Sequence, residues 1–192
     1  MPIIVEPAQR PGWLSDRDQP HIDVDERLTL RPWRDEDAPQ VRAAFDSPDI
    51  QRWHIRRMDT DAEAREWIAA WSTRWAAETA ASWAIVDIST DRPVGQVGLR
   101  DISLFDATAA LSYWVLPSAR GMGVAPRATV GLARWAFDTM GLQRLGLNHS
   151  TRNEPSCRVA GKAGFDWEGT LRAAVRHADG WHDMHVHARV RA

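Results

Sequence analysis

The sequence predicts an α/β (α+β) domain built on one mixed, mostly antiparallel sheet. Three apolar segments between residues 82 and 116 are joined by short turns, which is typical of an antiparallel meander. The next strand pattern follows only after a long helical segment, and a crossover of that kind joins parallel strands. We therefore expect six to seven strands, a central parallel pair formed by the fourth and fifth strands, and about four flanking helices.

Composition narrows the possible classes of protein. The chain has 192 residues, of which 44% are hydrophobic, so that one core and one domain are expected. A net charge of −2 gives no basic field for nucleic acid. A single cysteine excludes a disulfide framework and favours the cytoplasm. No apolar run reaches the ~20 residues of a membrane span, and the first residues lack a signal-peptide pattern.

The first elements are read from local patterns. Residues 1–25 lack periodicity and are predicted to be an N-terminal extension to a single domain over 26–192. Residues 27–33 alternate as in a strand. Residues 34–45 form a short helix pattern with an acidic first turn.

A second helix is predicted to begin at Thr60, because Thr60 and Glu63 have the spacing of a capping box. Trp67, Trp71 and Trp75 share one face of this helix. They form a stripe toward the core, or one of the rings also lines a substrate cleft.

The remaining elements follow in the same way. The long helix begins at Val124 or Ala125, because Pro126 is tolerated only in a first turn. A strand, a helix and a closing hairpin follow it. The expected strands are 82–88, 94–105, 109–116, 144–150, 164–175 and 181–190, with a helix over 153–163.

The segment "SARGMGVAPRA", residues 118–128, lies between a strand and the start of a helix. A helix N-terminus has unpaired N–H groups and a partial positive charge, so it binds anions. Gly121 and Gly123 remove side chains that would block a phosphate, and Arg120 adds a charge. The turn therefore indicates a phosphorylated cofactor or substrate, although a structural loop would use the same glycines.

Two motifs resemble those of the GNAT superfamily of N-acetyltransferases. Residues 120–125 fit the signature (Gln/Arg)-x-x-Gly-x-(Gly/Ala), and residues 153–165, "NEPSCRVAGKAGF", are similar to N-x-x-S-x-x-V-x-x-K-x-G-F. The second variant resembles the subgroup of ribosomal-protein-alanine acetyltransferases. The resemblance covers residues 27–190.

The resemblance implies acetyl-CoA as co-substrate and a fourth strand that splays from the fifth. The pyrophosphate would lie on the glycine turn, and the pantetheine arm would pair with the backbone in the gap. The cofactor-binding residues it implies are Trp114, Val115, Leu116, Arg120, Gly121, Met122, Gly123, Val124, Ala125, Asn153 and Ser156.

The catalytic residues follow less directly. Many relatives have a tyrosine seven residues after the motif asparagine, where it acts as the acid that protonates the thiolate, but here that residue is Ala160. The resemblance instead implicates Ser156 near the CoA sulphur, although a serine there could also hydrogen-bond its own backbone. For the general base, His149 is a candidate because of its ordinary pKa, with Asp101 or water as alternatives.

Metal and nucleophile chemistry are not expected. Cys157 has no activating partner in the sequence. His185 and His187 would share one strand face, which raises a metal hypothesis, but no carboxylate or cysteine set stands beside them in the sequence. We therefore expect no metal.

The predicted function is an acetyl-CoA-dependent N-acetyltransferase. Its acceptor would be a primary amine, either a protein N-terminus or a small molecule, attacking the thioester directly. The alternative is a non-catalytic protein that binds or senses acyl-CoA on the same fold. The resemblance also allows a homodimer.

Overall fold

The computed structural model describes residues 4–191 as one eight-stranded sheet with five α-helices. The strands are β1 (Ile22–Asp23), β2 (Leu28–Arg31), β3 (Ala81–Asp87), β4 (Arg92–Ser103), β5 (Thr108–Val115), β6 (Arg144–Ser150), β7 (Asp166–His177) and β8 (Gly180–Val190). The helices are α1 (Ala38–Asp46), α2 (Pro48–Gln51), α3 (Asp61–Ala76), α4 (Val124–Asp138) and α5 (Glu154–Lys162).

The sheet order is β1-β2-β3-β4-β5-β6-β8-β7, and only the β5–β6 pair is parallel. The predicted mixed, mostly antiparallel fold is confirmed. The structure has one strand more than the six to seven predicted. The additional strand is β1, whose two residues are too few to show a period in the sequence. The extra helix is α2, a single turn that begins at Pro48. Among the described residues, no helix is both long and apolar enough to cross a membrane.

The segment before the predicted domain packs against it. Leu14 is completely buried in the main core, and Ile22 of β1 lies in the same cluster. The Glu78 carboxylate accepts hydrogen bonds from the amides of Gly12 and Leu14 at 2.7 and 2.6 Å. Leu14 and Ile22 therefore share a continuous core with the rest of the chain.

Helix α3 begins as predicted. The Thr60 side chain accepts from the Glu63 amide, and the Glu63 carboxylate accepts from the Thr60 amide. Trp67, Trp71 and Trp75 are all buried in hydrophobic clusters. None of the three rings borders the large cavity described below, so the stripe faces the core.

The parallel pair opens partway along its length. Strands β5 and β6 pair only where residues 108–110 of β5 lie beside residues 144–146 of β6. Beyond that point β5 stays on β4 as far as Val115, and β6 stays on β8 as far as Ser150. The two strands thus diverge at the centre of the sheet, and residues 111–115 have no strand partner on the β6 side.

Candidate active site

A cavity of about 710 Å³ occupies the gap between the diverging strands. Its walls come from β5 and β6, the turn before α4, the first turns of α5, and the segment from α2 to His54. His177 at the end of β7 and Met184 of β8 complete it. The site therefore lies where one sheet is split between two antiparallel halves.

The glycine turn before α4 leaves open space beside the start of that helix. Gly121 and Gly123 have φ values of +77° and +71°, which favour glycine. A Cβ built on Gly121 would meet nothing within 4 Å, and one on Gly123 only the Arg127 Nε at 3.7 Å. Helix α4 starts at Val124 without a side-chain cap, so its first N–H groups are available to an anion.

Arg127 links the glycine turn to the segment before β2. Its guanidinium donates hydrogen bonds to the carbonyls of Met122 and Gly123 and pairs with Asp25 at 2.9 Å. Burial raises the pKa of Asp25, but hydrogen bonds from the Arg27 and Leu28 amides and the charge of Arg127 lower it overall. The segment before β2 is thus tied to the turn by an ion pair that the sequence did not reveal.

The cavity carries positive charge although the whole chain has a net charge of −2. Among the described residues that line it, Asp49 is the one carboxylate. Arg120 pairs with Asp49 at 2.7 Å. Such a surplus attracts phosphates. The lining arginines are Arg52, Arg120, Arg152 and Arg158.

Two hydroxyls meet inside the cavity. The Tyr113 hydroxyl of β5 donates to the Ser156 Oγ of α5 at 3.0 Å. Asn153 caps α5, and its side-chain oxygen accepts from the Ser156 amide at 3.2 Å. Burial raises the pKa of Tyr113 to about 12, against a smaller lowering by Ser156. The phenol is therefore protonated at neutral pH.

The candidate bases are placed less favourably. His149 lines the cavity, but its Nδ1 lies 2.8 Å from the Ser150 carbonyl and its Nε2 lies 3.2 Å from His187 Nε2. Asp101 is exposed, with a φ of +49°, and does not line the cavity. His54, which the sequence did not single out, lines it, and burial together with the charge of Arg100 lowers its pKa to about 4.

Most of the predicted cofactor residues come together here. The Trp114 ring packs against Ala44 and Ile50, so this residue has its side chain in a core cluster. Leu116 packs against the same cluster, and Met122 is 42% exposed; neither residue lines the cavity. Those that do line it are Trp114, Val115, Arg120, Gly121, Gly123, Val124, Ala125, Asn153 and Ser156.

Comparison with known proteins bears on this site. The sequence model described as "Acetyltransferase (GNAT) domain" matches residues 27–166. The chain is 26% identical over 173 residues to the uncharacterized N-acetyltransferase YoaA of Bacillus subtilis, covering 90% of this chain and 97% of that one.

Two solved structures have the same fold. The ribosomal-protein-S5-alanine acetyltransferase of Vibrio fischeri superposes with a TM-score of 0.81 at 20% identity, covering 90% of this chain and 97% of that one. RimL, a ribosomal L7/L12 alpha-N-protein acetyltransferase solved with coenzyme A, gives 0.79 at 19% identity, covering 90% and 98%.

Proposed function

Since the chain belongs to the GNAT acetyltransferase family and is an N-acetyltransferase using acetyl-CoA, we propose that its acceptor is a primary amine that attacks the thioester directly. The acceptor is a protein N-terminus or a small-molecule amine. The observation that carries this proposal is the opened β5–β6 pair, with an uncapped helix start and two hydroxyls bordering one cavity.

The donor has a place along this cavity. The diphosphate binds at the first amides of α4, where Gly121 and Gly123 leave room and arginines supply charge. The pantetheine arm runs along residues 111–115 of β5, whose edge toward β6 has no strand partner. Pro126 donates no N–H, so the amides at 123–125 carry the contact.

Protonation of the leaving thiolate falls to Ser156. Because Tyr113 donates its proton to the Ser156 oxygen, the Ser156 hydrogen is free to point at the sulphur. As the thiolate leaves, Ser156 gives up that proton and receives the one from Tyr113, and solvent then returns a proton to the Tyr113 phenolate. The pair thereby supplies the acid that many relatives draw from a tyrosine where this chain has Ala160.

Deprotonation of the amine is assigned to water held by backbone carbonyls. His149 could act only if its Nε2 were released from His187. His54 has a pKa near 4, far below the value that suits a base at neutral pH.

The acceptor enters beside α2 and the β7–β8 turn. This end of the site is basic: Arg52 lines the cavity, and Arg56 and Arg176 line an adjoining groove next to His54 and His177. The charge favours acceptors with carboxylates close to the amine. The fold relatives named as ribosomal N-terminal acetyltransferases support a peptide N-terminus as one such acceptor.

The test is thiol release from acetyl-CoA with a panel of amines. It should include peptides with a free N-terminus followed by acidic residues, matched peptides followed by basic residues, and N-acetylated controls. We expect turnover of free N-termini or small amines, none with the blocked peptides, and a preference for acidic sequences. Tight acetyl-CoA binding without turnover on any amine would instead support the acyl-CoA sensor.

A further inference from the structure

A second polar cluster lies behind the cavity, where β6, β8 and α5 meet. His149 of β6 stands directly opposite His185 of β8, and His187 lies two residues further along the same strand face. Cys157 of α5 joins them. One possible ligand atom from each of the four side chains lies within 4.8 Å of all the others.

The hydrogen bonds of two of these rings leave a conflict at the centre of the cluster. His149 Nδ1 lies 2.8 Å from the Ser150 carbonyl, and His187 Nδ1 lies 3.4 Å from the Phe165 carbonyl. A carbonyl can only accept, so each Nδ1 carries the single proton of a neutral imidazole. The two Nε2 atoms then face each other at 3.2 Å as acceptors, in a buried place, unless a cation lies between them.

The geometry suits a metal ion better than a proton. Ligating histidines usually donate their other ring N–H to a backbone carbonyl, as both rings do here. Zinc–nitrogen bonds of about 2.0–2.1 Å at a tetrahedral angle place two nitrogens about 3.3 Å apart.

The other two side chains complete a donor set. His185 Nδ1 is buried without a hydrogen-bond partner among the described residues. Cys157 is a half-buried free thiol. Tetrahedral zinc sites hold their ligand atoms about 3.3–3.6 Å apart, so the widest separation must shrink by about 1 Å. Rotation of the two half-buried side chains, His185 and Cys157, can provide this.

We propose that His149, Cys157, His185 and His187 bind one Zn²⁺ ion in a closed tetrahedral site. Imidazole and thiolate together favour zinc over the harder divalent cations. Four protein ligands leave no open position, so the role is structural. Binding releases the Cys157 thiol proton to solvent.

The site would fasten the start of α5 to the sheet. Cys157 directly follows Ser156, so the ion would fix the helix turn that carries the proposed acid. It would also occupy His149 Nε2, which excludes this ring as the general base. Cys157 is distant from His185 and His187 in the sequence, and only the packing of α5 on β6 and β8 brings it to the histidines.

Untagged protein, stripped with chelator and dialysed, is titrated with Zn²⁺ and separately with Co²⁺. We expect one tightly bound zinc per chain, a higher melting temperature, and the intense visible bands and thiolate charge transfer of four-coordinate cobalt. Cys157→Ser should lose the charge transfer and weaken zinc binding at least tenfold. His185→Asn should weaken it similarly, whereas the exposed His21→Ala control should match wild type.

The proposal is overturned if wild type binds no stoichiometric zinc and gives only the spectrum of hydrated cobalt. A proton shared by His149 and His187 would then resolve the contact. Equal zinc binding by wild type and Cys157→Ser would also overturn the four-ligand site. The wild-type cobalt spectrum decides the matter even if a variant fails to fold, and it requires no acetyl transfer.

Discussion

The contact between Tyr113 and Ser156 joins two residues that lie far apart in the sequence. The family resemblance implies that Ser156 lies near the CoA sulphur, but Ala160 occupies the usual position of the tyrosine. The only tyrosine reaches the serine from the neighbouring wall, 43 residues away along the chain. Such a pairing depends on how far β5 and β6 open, which no local pattern encodes.

Removing either hydroxyl should slow the chemical step more than it weakens donor binding. We expect Ser156→Ala to lower kcat about 10²-fold, in the range of general acid catalysis, with the Kd for acetyl-CoA changed less than about threefold. Tyr113→Phe should lower kcat about tenfold, because Ser156 remains but its proton is not replaced. Thiol release and calorimetry measure the two quantities.

Ser72→Ala, on the exposed face of α3, serves as the control and should leave both values unchanged. Equal losses in kcat and in affinity for the Ser156 variant would make this residue a binding group only.

At the level of elements, the sequence predicts the helices and long strands well because their signals are local. The Thr60 capping box and Pro126 set the starts of α3 and α4 to within one residue. The segment before β2 gives no such signal. Leu14 of this segment packs in the core, and the Glu78 carboxylate accepts hydrogen bonds from the backbone amides of Gly12 and Leu14. The hydrogen-bonded residues are more than 60 positions apart in the sequence.

This packing predicts that the N-terminal segment contributes to stability. Leu14→Ala should lower the free energy of unfolding by about 2–5 kcal/mol, because a completely buried leucine leaves a cavity. Leu171→Ala, at an exposed position on β7, should change it by less than about 0.5 kcal/mol. Urea denaturation measures both, and equal effects would show that residues 4–25 are a dispensable extension.

For the whole molecule, the split in the sheet is the feature on which the site depends. The sequence places a strand before and after the glycine turn, and the crossover makes them parallel. Residues 108–110 and 144–146 pair. No pattern in the residues that follow them, "LSYWV" and "LNHS", predicts that the two strands separate there. The parting follows from each strand keeping its outer neighbour, β4 or β8.

The central claim, that the diphosphate of acetyl-CoA lies on the first amides of α4, is tested most directly by calorimetry on Gly123→Asp and Gly123→Asn. Both side chains have the same size and tolerate the positive φ of +71°, and the Cβ of either one meets only Arg127. Only the aspartate repels an anion. We predict acetyl-CoA affinity at least tenfold weaker for Gly123→Asp than for Gly123→Asn, in proteins of equal stability. Affinities for both variants equal to that of wild type would contradict the account.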